Sequence, residues 1–435
     1  MEYKLLQECI DYFQHKQGLQ RALSEIKEKY RSLGKLSGRI VLKGLTLEEK
    51  DALSAFLNKN YYQEKASIAV ANFQAALDKT KFAGIDFTEV LEGYFQEKLV
   101  SKKEVLNARV KTKGDFFAAV IDQMQGTPAG AWLNNVLAGK KNAYQMLSQK
   151  YESSPELLQR EILAVCAAIN NLPMWEEQKM RLALFASKIS KNPHGFDENT
   201  DSGKLLLYAV AFTLGRRHPE NAEEKLEMLF HAGIIKDEIS NFTMCSGLLG
   251  YQVGKIHDGW QGFMQAGEPL QVSLLNLSTI DKIISPRGKI FVFENPTVFT
   301  EVFAQTSAIK PALMCTYGQI KVASYILLDM LAKKEGTIIY YSGDFDPEGL
   351  LIADRLKSRY GENLILWRYS SHDYLSAISH KKIEPMRLKK LEKLKTPELK
   401  EVAQLIKENG HAGYQELLTE KLADDVRIYS LSTSN

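Results

Sequence analysis

Cysteine is scarce in this chain. Cys9, Cys166, Cys245 and Cys315 are four residues among 435, far apart, with no CxxC pair and no Cys/His spacing of a zinc set. That argues against both a disulfide framework and a zinc site, and reads each thiol as a small buried hydrophobe. Long apolar runs are also missing. The longest, Leu205 to Leu214, stops against Arg216 and Arg217, far short of the roughly 20 residues a membrane helix requires. The amino terminus, MEYKLLQECIDYF, is charged and amphipathic, with neither an apolar h-region nor a cleavage site. The expected address is therefore cytoplasmic, with no membrane contact. Charge of one sign is lacking too: a net charge of +3, with 25% charged and 45% apolar residues, is that of an ordinary folded protein. Any nucleic-acid surface must come from local clustering. No GxGxxG turn, internal repeat or low-complexity stretch occurs, which leaves dinucleotide binding without support.

What is present is enough chain for two to four cored domains. From Met1 to about Lys35 it reads as a charged amphipathic helix or helix pair, with Leu5, Leu6, Ile10, Phe13, Leu19 and Leu23 on the apolar face and a break at Ser37-Gly38. A strand over Arg39–Leu42 follows, and Thr46 with Glu49 makes a capping box for a helix to Leu57. A strand over Ser67–Val70 and a helix over Asn72–Leu77 complete a small helix-turn-helix-like unit. Lys98, Lys102, Lys103, Arg109, Lys111 and Lys113 would let this unit touch DNA. A solvated basic face is the preferred reading at that density. Residues 115–280 read as mainly helical, over Phe116–Met124, Ala131–Leu147, Ser154–Ile169, Glu176–Ser187, Lys204–Leu214 and Asn221–Ala232, punctuated by Pro173, Pro193 and Pro219. His218, His231 and His257 have no partners at metal spacing and read as structural or surface histidines.

From about Pro286 the texture changes to alternating strands and helices. Strand Lys289–Phe293 ends in Glu294-Asn295-Pro296, and a helix runs to about Ser307. Strand Ala312–Cys315 ends in Thr316-Tyr317-Gly318, and a helix spans Gln319–Lys334. Strand Ile338–Tyr341, a helix ended by Gly361 and a strand over Asn363–Tyr369 complete the pattern. Such alternation implies right-handed βαβ crossovers and a small Rossmann-like parallel sheet. The expected fold is thus an α/β carboxyl-terminal domain (281–435), behind a helical α+β amino-terminal arm (1–114) and a mainly helical middle domain (115–280).

Within it, the stretch TIIYYSGDFDPEGLLIADRLKSRY from Thr337 to Tyr360 carries the chemistry. Asp344 and Asp346 follow a buried strand, Asp346 is placed to cap a helix, and Pro347 suits its first position. Glu294 closes one strand and the two aspartates another, so all three belong to one carboxyl edge, where open α/β sheets bind ligands. Carboxylates about 4 Å apart repel by on the order of 4 kcal/mol at an effective dielectric near 20. Either their pKa values rise or a hard divalent cation sits among them, Mg²⁺ by preference with Mn²⁺ as a substitute. Glu294, Asp344 and Asp346 are the candidate catalytic and metal-binding residues, with Glu294 as general base if it stays off the metal. A bare DxD is weak evidence, since turns collect aspartates; the flanking strand, the Pro-started helix and the upstream Glu strengthen it. Lys381–Lys400 holds eight Lys/Arg against three Glu. It suits DNA phosphates or a solvated helix with Leu388, Leu391 and Leu394 inward. Glu416, on an expected last helix Gly413–Ala423, is a lesser candidate for the acidic site.

A strand-terminal Glu (Phe293-Glu294-Asn295) with a later DxD (Asp344-Phe345-Asp346) resembles a Toprim domain. The Asp346-Pro347-Glu348-Gly349 turn is similar to that of the topoisomerase VI A subunit and the meiotic Spo-eleven protein. The closer resemblance is to the Toprim nuclease subunits of Wadjet anti-plasmid systems, the JetD family. It is carried by Glu294-Asn295-Pro296-Thr297-Val298, Cys315-Thr316-Tyr317-Gly318-Gln319, Gly343-Asp344-Phe345-Asp346 and Trp367-Arg368-Tyr369. The resemblance implies a homodimeric, Mg²⁺-dependent endonuclease for double-stranded plasmid DNA in a defence complex with an SMC-like ATPase, a kleisin-like subunit and a small helical subunit. It also implies a winged-helix, CAP-like module in the middle region. The topoisomerase relatives use a tyrosine nucleophile; no motif singles out one of the 19 tyrosines here, and the resemblance implies hydrolysis by activated water. The alternatives are a topoisomerase VI/Spo-eleven-like transesterase, a phosphohydrolase on small esters, and a non-catalytic DNA-binding subunit.

Overall fold

The computed structural model describes residues 2–141, 143–236, 239–333 and 337–431. The chain divides into two compact units, Met1–Gln123 and Met124–Asn435. In the first, strands β1 (Arg39–Lys43) and β2 (Lys65–Ala69) pair antiparallel, Ile40 opposite Ile68 and Leu42 opposite Ala66. Alternation sends those four side chains into the core and their neighbours outward. The helix between them, Leu47–Leu57, starts at the expected capping box: Glu49 N–H donates to Thr46 Oγ1 (3.2 Å) and Thr46 N–H to Glu49 Oε2 (2.8 Å). Phe13, Phe56, Phe73 and Phe87 pack ring against ring beneath it, with centroids 5.2 to 5.8 Å apart. Lys98, Lys102, Lys103, Arg109 and Lys111 are exposed, the last four on a helix Lys102–Gln123 that runs through residue 114.

The second unit is built on a six-stranded sheet. In chain order its strands are β3 (Phe242–Ser246), β4 (Leu270–Ser273), β5 (Lys289–Phe293), β6 (Leu313–Cys315), β7 (Ile338–Ser342) and β8 (Leu364–Leu366). In space they run β8-β7-β5-β6-β3-β4. β5 pairs parallel with β6 and β7, and β7 with β8, as alternating strands and helices predict. β3 pairs antiparallel with β6 and with β4. The sheet is therefore mixed, which corrects the expected all-parallel sheet. It also takes two strands from before residue 280, because FTMCS alternates in burial and finds its partner about 70 residues downstream. Residues too few to show a period reveal such pairing only in three dimensions.

Helices cover the faces of this sheet. Pro296–Thr306, Val322–Ala332 and Pro347–Tyr360 are the crossover helices; Lys334, the expected end of the second, lies outside the described residues. The core joins Ile290, Phe291, Val292 and Phe293 of β5 to Leu313, Ile339, Tyr341, Leu350 and Leu356. The helices expected over 154–169 and 221–232 appear as Pro155–Asn170 and Ala222–His231. The one expected over 131–147 is two, Pro128–Gly139 and Tyr144–Ser153, parted at Lys140, whose φ of 48° ends the first. After β8 a two-stranded antiparallel ribbon, Ile378–Lys382 with His411–Gly413, brackets the basic stretch. Gly413 closes that ribbon instead of opening a helix; the last helix is Thr419–Leu431. Among the described residues no helix is long and apolar enough to cross a membrane.

Candidate active site

Numbered from β5, the parallel strands lie in the order 2-1-3-4, so the crossovers leave in opposite directions from β5 and β7. That opens a crevice beyond their carboxyl ends, the position where doubly wound sheets take ligands. Glu294 is the first residue after β5, and Asp344 and Asp346 follow β7. The turn after β6 fixes the first of these. Thr316 N–H donates to Phe293 O (2.9 Å) and Gly318 N–H to Glu294 O (3.0 Å). To make that reach, Tyr317 and Gly318 take φ values of 57° and 74° in succession. Glycine meets this demand without a Cβ penalty, which gives the Tyr-Gly pair a physical role.

The DxD turn is clamped from the other side. Phe345, fully buried, exchanges backbone hydrogen bonds with Gly413 (2.9 and 3.0 Å), and its ring packs against Tyr369 and Tyr374. With the middle residue turned into the core, the flanking aspartates stay partly accessible. Asp344 N–H donates to Glu294 Oε2 (3.2 Å), Tyr341 Oη lies 3.5 Å from the same oxygen, and Gln415 N–H donates to Asp344 Oδ1 (2.8 Å). Gly343 makes this closeness feasible: a Cβ there would collide with the Glu294 carboxylate and stand 2.9 Å from Tyr369 Oη. Asp346 caps its helix as expected, Gly349 N–H donating to Oδ1 (2.8 Å), and its Oδ2 takes Arg387 Nη2 (2.6 Å). Replacing such a cap by Ala typically costs ~1 kcal/mol.

Electrostatics separate the three acids. Burial first, then the Asp344 charge and, more weakly, Asp346, push the Glu294 carboxyl up to about 7 against the pull of the Asp344 N–H. Burial raises Asp344 to about 6, helped by Glu416 and Asp346 and opposed by the Gln415 N–H. Neither has a cationic side chain as an ion-pair partner among the described residues. Glu294 Oε1 and Asp344 Oδ2 likewise have no protein donor among them. Glu348 is the opposite case: burial works against its ionisation, but Arg387 and Lys390 outweigh this and hold it at about 2. The ligand oxygens of Glu294, Asp344 and Asp346 do not all fall within 4.8 Å of one another. A small hard cation suits that spacing, because Mg²⁺ keeps several waters and takes only one or two carboxylates directly. The donor set fits: it is all oxygen, partly dehydrated and short of positive charge.

A tighter group occurs elsewhere. Glu227, His231 and Asp329 do place ligand atoms within 4.8 Å of one another. Yet Arg359 donates to both Glu227 oxygens (3.2 and 2.9 Å) and both Asp329 oxygens (3.0 and 2.6 Å), and Arg216 Nη1 reaches Glu227 Oε1 at 3.2 Å. Two cations already balance the two carboxylates. Burial opposes ionisation of Glu227, but His231 and Arg359 hold it at about 2. His231, expected to be a structural or surface histidine, stands 3.4 Å from Glu227 Oε1, four residues away on the same helix face.

Three further residues at the first site escaped sequence reasoning. Asn295 caps the helix Pro296–Thr306 and donates through Nδ2 to Glu416 Oε1 (2.6 Å), which brings Glu416 to the rim. Gln415, fully buried, accepts from Asn295 N–H through Oε1 (3.1 Å) and leaves Nε2 without a partner among the described residues. Arg387 was legible only as one member of a basic stretch. In the same stretch Leu391 and Leu394 are buried and Leu388 is half-buried, inward as expected, but on a four-residue helix Pro385–Leu388 and a 3-10 turn Lys389–Lys393 in place of one amphipathic helix.

The architecture is thus an α/β unit with an acidic crevice at its topological switch point. Residues 36–250 match the family described as "Protein of unknown function N-terminus (DUF3323)", and residues 270–426 match "Protein of unknown function C-terminus (DUF2399)". This order of two modules is the layout typical of JetD-like proteins, and neither description names a function. The second match contains Glu294, Asp344, Asp346, Arg387 and Gln415. No curated protein matches the chain.

Proposed function

We propose that the protein is a metal-dependent DNA endonuclease that hydrolyses phosphodiesters at the β5/β7 crevice, which would make residues 281–435 a Toprim domain. The observation that carries this reading is the pair Glu294 and Asp344: two half-buried carboxyls at the switch point, pushed up to about 7 and about 6, with no cationic side chain beside them among the described residues. A fold does not keep such a pair for stability, since each ionised form is penalised. Glu294 Oε1 and Asp344 Oδ2 would hold the cation, with Asp346 completing the set through water or directly. The bound ion supplies charge neutralisation at phosphorus and a lowered pKa for an attacking water. In the alternative in which Asp344 and Asp346 hold the ion without Glu294, the Glu294 carboxyl, pushed up to about 7, is suited instead to take that water's proton. Tyr341 and Tyr369, the tyrosines grouped around Glu294 and Gly343, are buried.

The two-module layout supports placing the protein in a Wadjet-type anti-plasmid complex, with an SMC-like ATPase, kleisin-like and small helical partners, a homodimeric nuclease subunit and a winged-helix module in the middle region. The test is cleavage of closed circular DNA by purified protein, alone and with those partners. Cutting is expected only with Mg²⁺ or Mn²⁺, and Glu294→Ala abolishes it. Undiminished cutting by that variant removes the mechanism, a covalent tyrosyl-DNA adduct shifts the assignment to a transesterase, and salt-sensitive binding without cleavage under every condition leaves a DNA-binding subunit.

A further inference from the structure

Arg387 is the cation that the acidic crevice does contain. It arrives on the short helix Pro385–Leu388, inside the stretch bracketed by the ribbon 378–382/411–413. Its Nη2 donates to Asp346 Oδ2 (2.6 Å) and to Glu348 Oε2 (2.5 Å), and its Nε lies 3.2 Å from Glu348 Oε2. Lys390 adds a second contact to Glu348 (2.8 Å). Nη1, by contrast, has no protein acceptor among the described residues, and the side chain remains 32% exposed. One edge of the guanidinium is therefore committed to the two acids and the other is open. Arg359 differs: its Nε, Nη1 and Nη2 all donate to carboxylate oxygens, and burial with Glu227 and Asp329 locks it in place.

Asp346 has both oxygens engaged, one as a helix cap and one on Arg387. A divalent cation that recruits Asp346 must compete with the arginine for Oδ2. Glu348 is not a candidate ligand, and it keeps its own hold on Arg387 when Asp346 lets go. The displaced guanidinium then presents Nη1 and a freed Nη2 proton side by side, a fork matched to two oxygens of one phosphate. Lys389 and Lys393, exposed on the following turn, extend positive charge along the same rim.

We propose that Arg387 is a positioning residue that exchanges partners. Without DNA it occupies Asp346 and weakens cation binding, and when the cation takes Asp346 it turns to a backbone phosphate of the nucleic acid. This inference rests on the endonuclease reading and adds a substrate contact and a built-in brake to it.

The test uses the full-length protein and two readouts that do not depend on turnover. The first is Mn²⁺ affinity without DNA, from the electron paramagnetic resonance signal of free Mn²⁺. The second is affinity for a fluorescent duplex by anisotropy in Ca²⁺ over a salt series. Arg387→Ala is expected to bind Mn²⁺ about fivefold more tightly, because a neighbouring positive charge is gone. It is expected to bind DNA about tenfold more weakly, with a salt slope smaller by about 1. Arg387→Lys keeps the charge but not the fork, so its Mn²⁺ affinity stays within about twofold of wild type while DNA affinity falls. A residue that merely braces the fold would lower both affinities together. Wild-type Mn²⁺ binding that Arg387→Ala leaves unchanged or weakens overturns the exchange and leaves the endonuclease reading standing. Wild-type protein with no affinity for Mn²⁺ overturns both.

Discussion

Two groups of acidic side chains among the described residues differ in how their charge is met, and the looser one is the one we propose for the cation. Around Glu227 the ligand atoms lie closest together, but Arg359 and Arg216 cancel the charge and Glu227 is held at about 2. Around Glu294 the acids stand farther apart, yet two of them lack a cationic partner among the described residues, and their carboxyls rise to about 7 and about 6. What matters is whether the protein supplies the compensating charge itself. Glu227 also lies in the stretch matched by the N-terminal family and Asp329 and Arg359 in that matched by the C-terminal one. The balanced network ties those two stretches together, and the unbalanced one is the proposed cation site.

The largest expected effect strikes at the balanced network. Arg359→Met removes the cation shared by two largely buried carboxylates, and breaking such a pair from one side costs about 3 kcal/mol. Arg387→Met removes an arginine whose side chain and Asp346 partner are 32% and 25% exposed, a setting in which ion pairs contribute no more than about 1 kcal/mol. Urea denaturation at pH 7.5 in EDTA measures both. Equal losses would dissolve the contrast between the two groups.

The next effect runs in the opposite direction, because Glu294→Gln should stabilise the metal-free protein. The folded-state carboxyl titrates at about 7, against an ordinary value of 4.5. Below about pH 4.5 the group is protonated in folded and unfolded chains alike, so stability is at its fullest. As pH rises from there through about 7, the unfolded chain gives up its proton first and the folded chain is progressively penalised. The total is on the order of 3 kcal/mol once both forms are ionised. Glutamine is neutral throughout, so the variant gains on the order of 2 to 3 kcal/mol at pH 8 and almost nothing at pH 4.5. A variant that is less stable than wild type at pH 8 would mean that Glu294 is a structural anchor.

These contrasts also show where sequence reasoning succeeds. Lys289–Phe293 appears residue for residue as β5, and Ala312–Cys315 and Ile338–Tyr341 match β6 and β7 to within one residue at either end. Each is an apolar run stopped by a polar or glycine turn, a signal local to the chain. Asp346 as a helix cap and Glu294 at a strand end follow from the same local rules. The missing parts are nonlocal. β3 was hidden among helices because its partner strand is distant in sequence. Gln415 reaches Asp344 through a backbone N–H, which every residue but proline carries, so no side-chain pattern could announce it. Arg387 was visible as a positive charge, but its choice of Asp346 and Glu348 over solvent is decided by a ribbon that brings it back across about 40 residues.

The smallest effect is the one that assigns each group its role. Mg²⁺ should raise the thermal midpoint of the wild-type protein at pH 8, by about 1.4 kcal/mol of stabilisation at ten times its dissociation constant. At pH 5 the gain should shrink, because protons hold Glu294 and Asp344 against the ion. Glu294→Gln should lose the response at both pH values. Glu227→Gln should keep it, even though that substitution disturbs the tighter cluster and lowers the midpoint itself. Differential scanning fluorimetry across a Mg²⁺ titration separates these cases. A response that disappears with Glu227 and survives without Glu294 would move the cation to the arginine-bound network and reverse the assignment of the two groups.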